Sequence, residues 1–436
     1  MLDIINYPDP GNVEMLIKRP GHRDAEIIPS IRTLLSDVKR SGDKAVRKYI
    51  RLFEKTAPEE LSVSDEEWAS ADHILPDLRI AIDKAFDNIY TFHSNQKISV
   101  SKIETAPGIS CWRKQVPITK VGLYVPGGSA PLFSTLLMLG IPAMIAGCRD
   151  IVVCTPAASN GHIDPVILYV AKRIGLTKVY KIGGAQAIAA MAYGTETVPK
   201  VYKIFGPGNR YVMAAKSLLQ TEGIAIDLPA GPSEVAILAD ESAIPEFVAA
   251  DLLAQAEHGP DSQVLLVCTD PVAAASVRAC IAAQLEILPR AEVVRQSLKE
   301  SRIILVKNLE DGMRIINHYA PEHLIINTRD PLPVADQVEN AGSVFIGGYS
   351  PESVGDYASG TNHTLPTNGS AKAYSGVSLD SFMKNITYQQ LTEEGLANIG
   401  PAVELMAMAE GLLAHANAIT VRLKNIKNKN MPNGSK

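Results

Sequence analysis

Residues 178–194 read "KVYKIGGAQAIAAMAYG". A short apolar run rich in strand-forming residues meets a Gly183-Gly184 punctuation mark and continues as an alanine-rich, helix-forming segment. The same order recurs on both sides. "ITKVGLYV" (118–125), "DIVVCTP" (150–156) and "VYKIFGPG" (201–208) also read as buried strands, with helix-like stretches such as "PVILYVAKRIG" between them. A second series follows: "EVAILAD" (234–240), "SQVLLVCTD" (262–270), "RIILVKN" (302–308), "HLIINT" (323–328) and "GSVFIGG" (342–348). Apolar strands without polar alternation, separated by helices, imply parallel sheets covered on both faces.

The expected fold is therefore α/β, with two similar incomplete Rossmann-like parallel-sheet domains, an N-terminal arm and a small helical C-terminal domain. The arm is residues 1–22, which hold several prolines and glycines and no clear period. Residues 23–124 with 233–377 form the first sheet domain, 125–232 the second, and 378–436 the helical end. The last stretch, "KNIKNKNMPNGSK", is polar and expected to fray. No residue-level repeat accompanies the two strand series.

Composition limits the function. At ~150 residues per domain, 436 residues suggest roughly three domains, or fewer if one is a large α/β unit. A hydrophobic share of 46% and a charged share of 20% describe an ordinary globular protein. A net charge of −5, without a Lys/Arg cluster, argues against nucleic acid as partner. The start lacks the basic and apolar regions of a secretory signal. The longest apolar stretch, "PLFSTLLMLGIPAMIAG", is broken by Gly140 and Pro142 and falls short of the ~20 residues of a membrane span. Cys111, Cys148, Cys154, Cys268 and Cys280 are odd in number and form no CxxC pair, which fits reduced thiols in the cytoplasm.

Three glycine turns, "VPGGSA" (125–130), "IGGAQA" (182–187) and "FGPGNR" (205–210), each follow a strand and precede a helix. At such turns small residues let a phosphate approach backbone N–H groups. None is a full dinucleotide fingerprint, and Tyr211 stands where the third glycine belongs. Each alone is equally a tight connection; three together favour a nucleotide in a non-standard pose.

"SAIPEFVAADLLAQAEHG" (242–259) reads as a helix with Ser242 as N-cap, Pro245 in the first turn and Gly259 as the stop. Its apolar stripe through Val248 and Leu252 arrives at Gln255, and His258 follows three residues on, so both polar side chains converge on one point. They are either a satisfied core pair or two metal ligands. The loop "SPESVGDYASGTNHTLPT" (350–367) carries Asp356 and His363, as solvated groups or as site residues. In the C-terminal helix His415 shares a stripe with Met408, Leu412 and Ile419 and is expected to face inward. "NHYAPEHLII" (317–326) sets Glu322 beside His323 directly after Pro321. No HExxH occurs, which removes the commonest zinc-hydrolase arrangement.

"QAEHG" (255–259), "YAPEHL" (319–324), "GDYASGTNHTLPT" (355–367) and "EGLLAHANA" (410–418), in this order, resemble the signature segments of histidinol dehydrogenase. "GLYVPGG", "IGGAQA", "FGPGNRYV" and "DLPAGPSEV" (227–235) are similar to the same family, over about residues 20 to 420. The resemblance implies four-electron oxidation of L-histidinol to L-histidine through L-histidinaldehyde, with two NAD and one Zn²⁺ per subunit, as the last step of histidine biosynthesis. It further implies Gln255, His258, Asp356 and His415 as zinc ligands that also face the substrate. Ser233, His363 and Glu410 would complete the substrate contacts, and Tyr124, Gln186 and Asn209 would line the NAD site. Glu322 and His323 would be the catalytic pair. The first sheet domain would then hold the zinc and the second the NAD. The family is an intertwined homodimer in which His415 and Glu410 come from the neighbouring subunit, so 378–436 would be the dimerisation domain.

The residues suit that chemistry. Hydride leaves an alcohol as its hydroxyl proton is withdrawn, a task for His323. The aldehyde must then be hydrated, a task for Glu322. Consecutive residues on a regular strand point to opposite faces, so the segment must be irregular there. Pro321 makes it so by ending the preceding helix and biasing Ala320 away from the right-handed helical region. Cys111 and Cys154, the thiols available for a thiohemiacetal route, read as structural. Two rival readings are a zinc-dependent hydrolase of a small amine or imidazole substrate and a non-enzymatic binding module.

Overall fold

The computed structural model describes residues 2–19, 26–127, 131–228 and 231–429. In chain order its strands are β1 (Asp3–Asn6), β2 (Ile103–Ala106), β3 (Ile109–Pro117), β4 (Lys120–Tyr124), β5 (Asp150–Thr155), β6 (Lys178–Lys181) and β7 (Lys203–Phe205). They continue with β8 (Ala225–Ile226), β9 (Glu234–Ala239), β10 (Gln263–Cys268), β11 (Arg302–Leu305), β12 (His323–Asn327), β13 (Ser343–Ile346) and β14 (Met383–Leu391).

Two sheets are parallel throughout. One has the order β1-β11-β10-β9-β12-β13, the other β6-β5-β4-β7-β8. Every residue of β9, β10 and β12 is buried, as a strand sandwiched between helix layers requires. Helices Pro245–Ala256 and Pro271–Leu285 cover one face of the six-stranded sheet, and Leu309–Tyr319 covers the other. On the five-stranded sheet, Ile28–Phe53, Gly184–Tyr193 and Arg210–Thr221 cover one face; Pro76–Ser94, Phe133–Ala146 and Pro165–Ile174 cover the other. Each fully buried Leu, Ile or Val contributes about 1.5–3 kcal/mol through removal from water. The apolar run ending at Gly147 is the core helix Phe133–Ala146, and among the described residues no helix is long and apolar enough to cross a membrane.

Several expectations change. The arm is not irregular throughout: Asp3–Asn6 adds a parallel edge strand beside β11, and Val13–Leu16 is helical. Four residues are too few to show a period, so tertiary pairing decides. The expected boundaries within 23–124 do not hold. The helices between Ile28 and Ser94, with β4, belong to the five-stranded sheet, because their apolar faces fit its two surfaces.

The chain divides into two compact units, Met1–Gln96 with Ile118–Phe382 and Lys97–Pro117 with Met383–Lys436. The second unit is not purely helical. In its antiparallel sheet β14-β3-β2, β14 pairs with β3 in unbroken register from Met383↔Pro117 to Leu391↔Ile109, with Trp112 stacked on Tyr388. Helices Glu393–Ala409 and Leu413–Lys429 follow. Residues 424–429, expected to fray, extend the last helix; the rest of the polar tail lies outside the described residues.

Candidate functional site

Helix Leu309–Tyr319 ends where Ala320 enters the left-handed region at φ 53, ψ 67, its N–H returning to the Ile316 carbonyl at 2.8 Å. Ala320 thus leaves the right-handed region as Pro321 requires, though for the left-handed rather than the extended one, because it serves as the helix C-cap. Arg19 holds this corner. Its guanidinium donates to the Tyr319 carbonyl at 2.7 Å and the Ala320 carbonyl at 3.3 Å, lies 4.0 Å from the Tyr319 ring centroid, and pairs with buried Glu234. β12 begins only at His323, so Glu322 escapes the strand alternation. The Glu322 carboxylate accepts from the Glu234 N–H at 3.0 Å and turns to the imidazole of His323, with Oε2 3.7 Å from Nδ1.

His323, Ser343 and Val235 are register partners at the start of β12, β13 and β9. The pair therefore sits at the amino-terminal edge of the six-stranded sheet, opposite the edge where ligands of such sheets usually bind. Helix Pro245–Ala256 runs back to this edge and delivers Gln255, fully buried, and then His258 just beyond its end. Ser242 is not its N-cap: the helix starts at Pro245, and the Ser242 hydroxyl donates to Asp240. The short helix Glu352–Tyr357 after β13 supplies Asp356 and Glu352.

His323 Nε2 lies 3.6 Å from Asp356 Oδ1, and Nδ1 lies 3.9 Å from Glu352 Oε1. The Nε2 atom is buried and without a hydrogen-bond partner among the described residues. Such an orphan asks for a ligand. His258, Glu352 and Asp356 bring one ligand atom each within 4.8 Å of one another. The His258 imidazole and the Asp356 carboxylate, with the buried Gln255 amide adjacent, are donors of the kind that hold Zn²⁺. His363 donates from Nδ1 to the Asp356 carbonyl at 2.9 Å, since a carbonyl only accepts; this leaves Nε2 as its acceptor atom. The neighbouring Asn362 amide pins the loop by donating to the Met138 carbonyl at 2.6 Å.

Burial pushes Glu322 and Glu352 each up to about 8, with His323 opposing the rise. Burial disfavours a charged His323, but Glu352, Glu322 and Asp356 overcome it and push the imidazole up to about 10. Burial would raise Asp356 too, yet His323, His363 and His258 hold it below the usual carboxylate range. His258 has an exposed edge, and crowding on its other side lowers it against the pull of Asp356. A divalent cation on Asp356 and His258 would offset this negative charge and return His323 toward neutrality.

The five-stranded sheet reverses its strand order between β4 and β7, and the crevice at such a switch point is where nucleotides bind. Tyr124 ends β4 and Asn209 follows β7, flanking it. The Tyr124 hydroxyl accepts from the Gly184 N–H at 2.9 Å, which ties in the turn before Gln186. Gln186 donates to Glu54 at 2.8 Å, and Glu54 also accepts from the Gly183 N–H at 3.1 Å. The N-terminus of helix Gly184–Tyr193 is therefore filled by the chain's own carboxylate rather than open to a phosphate. Asn209 caps the next helix through the N–H groups of Tyr211 and Val212. Gly206, at φ 128, has a packing reason as well: a Cβ there would lie 2.1 Å from the Tyr124 carbonyl oxygen. The first glycine turn reaches beyond the described residues at 128–130.

Ser233 immediately precedes Glu234 at the start of β9 and lines a small cavity with Arg19 and Asn368. Glu410 and His415 belong to the second unit, and both are exposed. The inward-facing reading of His415 does not hold within the chain. Its stripe partners Met408 and Leu412 are exposed too, at 54% and 44%, because the two terminal helices bury only Ala407 and Ala416 of this region. Sequence reading missed Glu352, Glu234 and Arg19. For Glu352 a signal existed, its i,i+4 spacing to Asp356; for Arg19, 215 residues from Glu234, there was none. Cys154 is fully buried and its thiol pushed well up by burial, so it is no nucleophile.

A family model described as histidinol dehydrogenase matches residues 17–423. The histidinol dehydrogenase of Bacteroides thetaiotaomicron is 55% identical over 428 residues, covering 98% of this chain and 100% of that one. The chloroplastic histidinol dehydrogenase of Arabidopsis thaliana is 50% identical, with 96% and 90% covered. The crystal structure of histidinol dehydrogenase from Elizabethkingia anophelis superposes with a TM-score of 0.95 at 49% identity, over 98% of this chain and 99% of that one. With the matched segments running through both sheets and every residue of the buried cluster, the chain belongs to the histidinol dehydrogenase family.

Proposed function

We propose that the protein oxidises L-histidinol to L-histidine through L-histidinaldehyde, using two NAD per turnover and one Zn²⁺ per subunit, in the cytoplasm. Membership of the family makes it an oxidoreductase of histidine biosynthesis. The observation that carries the finer reading is the buried, partnerless His323 Nε2, ringed by Asp356, Glu352 and Glu322 and bordered by Gln255 and His258. An imidazole placed in this way is built to exchange a proton with a ligand.

Gln255, His258 and Asp356 would hold zinc, and Tyr124, Gln186 and Asn209 would face NAD. When bound, zinc would fix the imidazole and amine nitrogens of the substrate, and NAD would supply the hydride acceptor for both oxidations. In the first oxidation His323 takes the hydroxyl proton as the carbinol carbon loses hydride, giving the aldehyde. Glu322, with its pKa drawn toward neutrality, then takes a proton from water as the oxygen adds to the aldehyde carbon, while His323 returns its proton to the carbonyl oxygen and is free to act as a base again. His323 takes the hydroxyl proton of the resulting hydrate as the second hydride leaves, giving the acid. Arg19 and Glu234 keep the corner rigid, so the two groups stay aimed at one carbon.

His415 and Glu410 would reach the site of a second copy, making the protein a homodimer with shared sites. Support comes from the exposed apolar side chains of the terminal helices, among them Leu405 (71%), Met406 (66%) and Leu413 (70%), which a partner would bury. The hydrolase alternative has no observation of its own in its favour.

The test is zinc removal. Dialysis against a chelator should abolish oxidation and Zn²⁺ should restore it, while His258→Asn should lower zinc content per subunit. Full zinc occupancy in that variant would remove His258 from the ligand set.

A further inference from the structure

Gln255 is fully buried, and one end of its amide stands 2.7 Å from Glu352 Oε1, 3.2 Å from Glu352 Oε2 and 3.2 Å from His323 Nδ1. A carboxylate only accepts hydrogen bonds. An amide oxygen at that position would face the two carboxylate oxygens of Glu352, so the end toward Glu352 must be the nitrogen. The opposite orientation would also be useless for a metal, because an amide nitrogen has no lone pair to give. An amide's terminal torsion is broad and roughly two-fold, so the side chain itself does not choose between them. Something outside must choose. Glu352 is placed to do it: it is 1% exposed, and it stands one helical turn before Asp356 on the same short helix.

We propose that Glu352 is the positioning residue for Gln255, fixing the amide so that Oε1 is presented to the cation. This rests on the zinc reading given above. It explains why a glutamine serves where imidazole or carboxylate is commoner. A neutral ligand adds no charge beside the carboxylates of Glu322, Glu352 and Asp356, and Glu352 supplies the orientation that the neutral ligand lacks. One helix thereby carries both a ligand, Asp356, and the group that aims another.

The test uses the purified full-length protein and reads zinc affinity by competition with a chromophoric chelator, together with the visible spectrum of the Co²⁺-substituted protein. Circular dichroism checks the fold of each variant. Glu352→Gln keeps the shape but replaces an obligate acceptor by an amide that can present either end. It should weaken zinc binding by ~10–100-fold, the range for loss of an outer partner of a ligand, and shift the Co²⁺ bands. Combining it with Gln255→Glu reverses the polarity of the pair: the new amide donates to one carboxylate oxygen and leaves the other for the metal. That double variant should recover most of the lost affinity. Wild-type affinity and spectrum in Glu352→Gln would overturn the inference alone. So would a double variant at least as weak as the single one, which would make Glu352 a ligand in its own right. A wild-type protein that takes up no zinc would remove the metal reading and this inference with it.

Discussion

Glu322 Oε2 stands 3.7 Å from His323 Nδ1 although the two residues are consecutive in the chain. Neighbours on a strand point apart, so this meeting exists only because β12 starts one residue late, after the left-handed Ala320 and Pro321. The backbone at this corner is unusual for a non-glycine residue, and the bonds donated by Arg19 and by the Glu234 N–H hold it in place.

The two members of the pair should separate kinetically. His323→Asn should slow oxidation of both histidinol and supplied histidinaldehyde, because each hydride transfer needs a base. Glu322→Gln should slow the aldehyde half more, because it removes the group proposed to activate water. Losses of ~10²–10⁴-fold are expected for an acid–base residue. Small, equal losses in both variants would reduce the pair to packing.

Arg19→Leu should act at a distance in sequence but not in space. It leaves Glu234 buried and unpaired, which costs about 3–5 kcal/mol for a broken buried ion pair, and it releases the Tyr319 and Ala320 carbonyls. Denaturant unfolding should show that loss, with kcat falling more than KM rises. Unchanged stability would mean that the Arg19 contacts carry no net energy.

The core strands were legible because runs such as "EVAILAD" are buried on both faces and need no period to be recognised. β14 was not, since its residues are mostly exposed and its polar sequence carries no burial signal. Within the site, Gln255, His258, Asp356, His363, Glu322 and His323 stood out because each sits in a recognisable local setting, and the fold gathers them. Arg19 and Glu234 did not, because their roles arise from pairing across the fold, which no local pattern encodes. The choice of sheet edge was likewise hidden: Glu322 precedes its strand and His323 opens it, whereas the usual expectation places chemistry after one.

Asp251, 8% exposed on the helix that carries Gln255, has its carboxyl pushed up to about 7 by burial, from an ordinary value of 3.8. The folded state therefore holds this proton more tightly than the unfolded state. Stability should fall as pH rises through that window, with the penalty absent below it and complete above it. Asp251→Asn should accordingly stabilise the protein at pH ~8 by ~1–3 kcal/mol and leave it nearly unchanged at pH ~4, with each pKa unit worth about 1.4 kcal/mol before relaxation. Chemical denaturation at the two pH values reads the difference. An equal gain at both would assign the effect to packing instead.

The proposed four-electron oxidation, completed in one site, is read from the NADH formed per L-histidinol consumed. The absorbance of NADH is followed to completion with limiting histidinol, excess NAD and added Zn²⁺, and the product is identified by chromatography. Two NADH per histidinol, with L-histidine as the product, is the predicted result. One NADH per histidinol, with the aldehyde accumulating, would contradict the role given to Glu322, and none at all would contradict the oxidation itself.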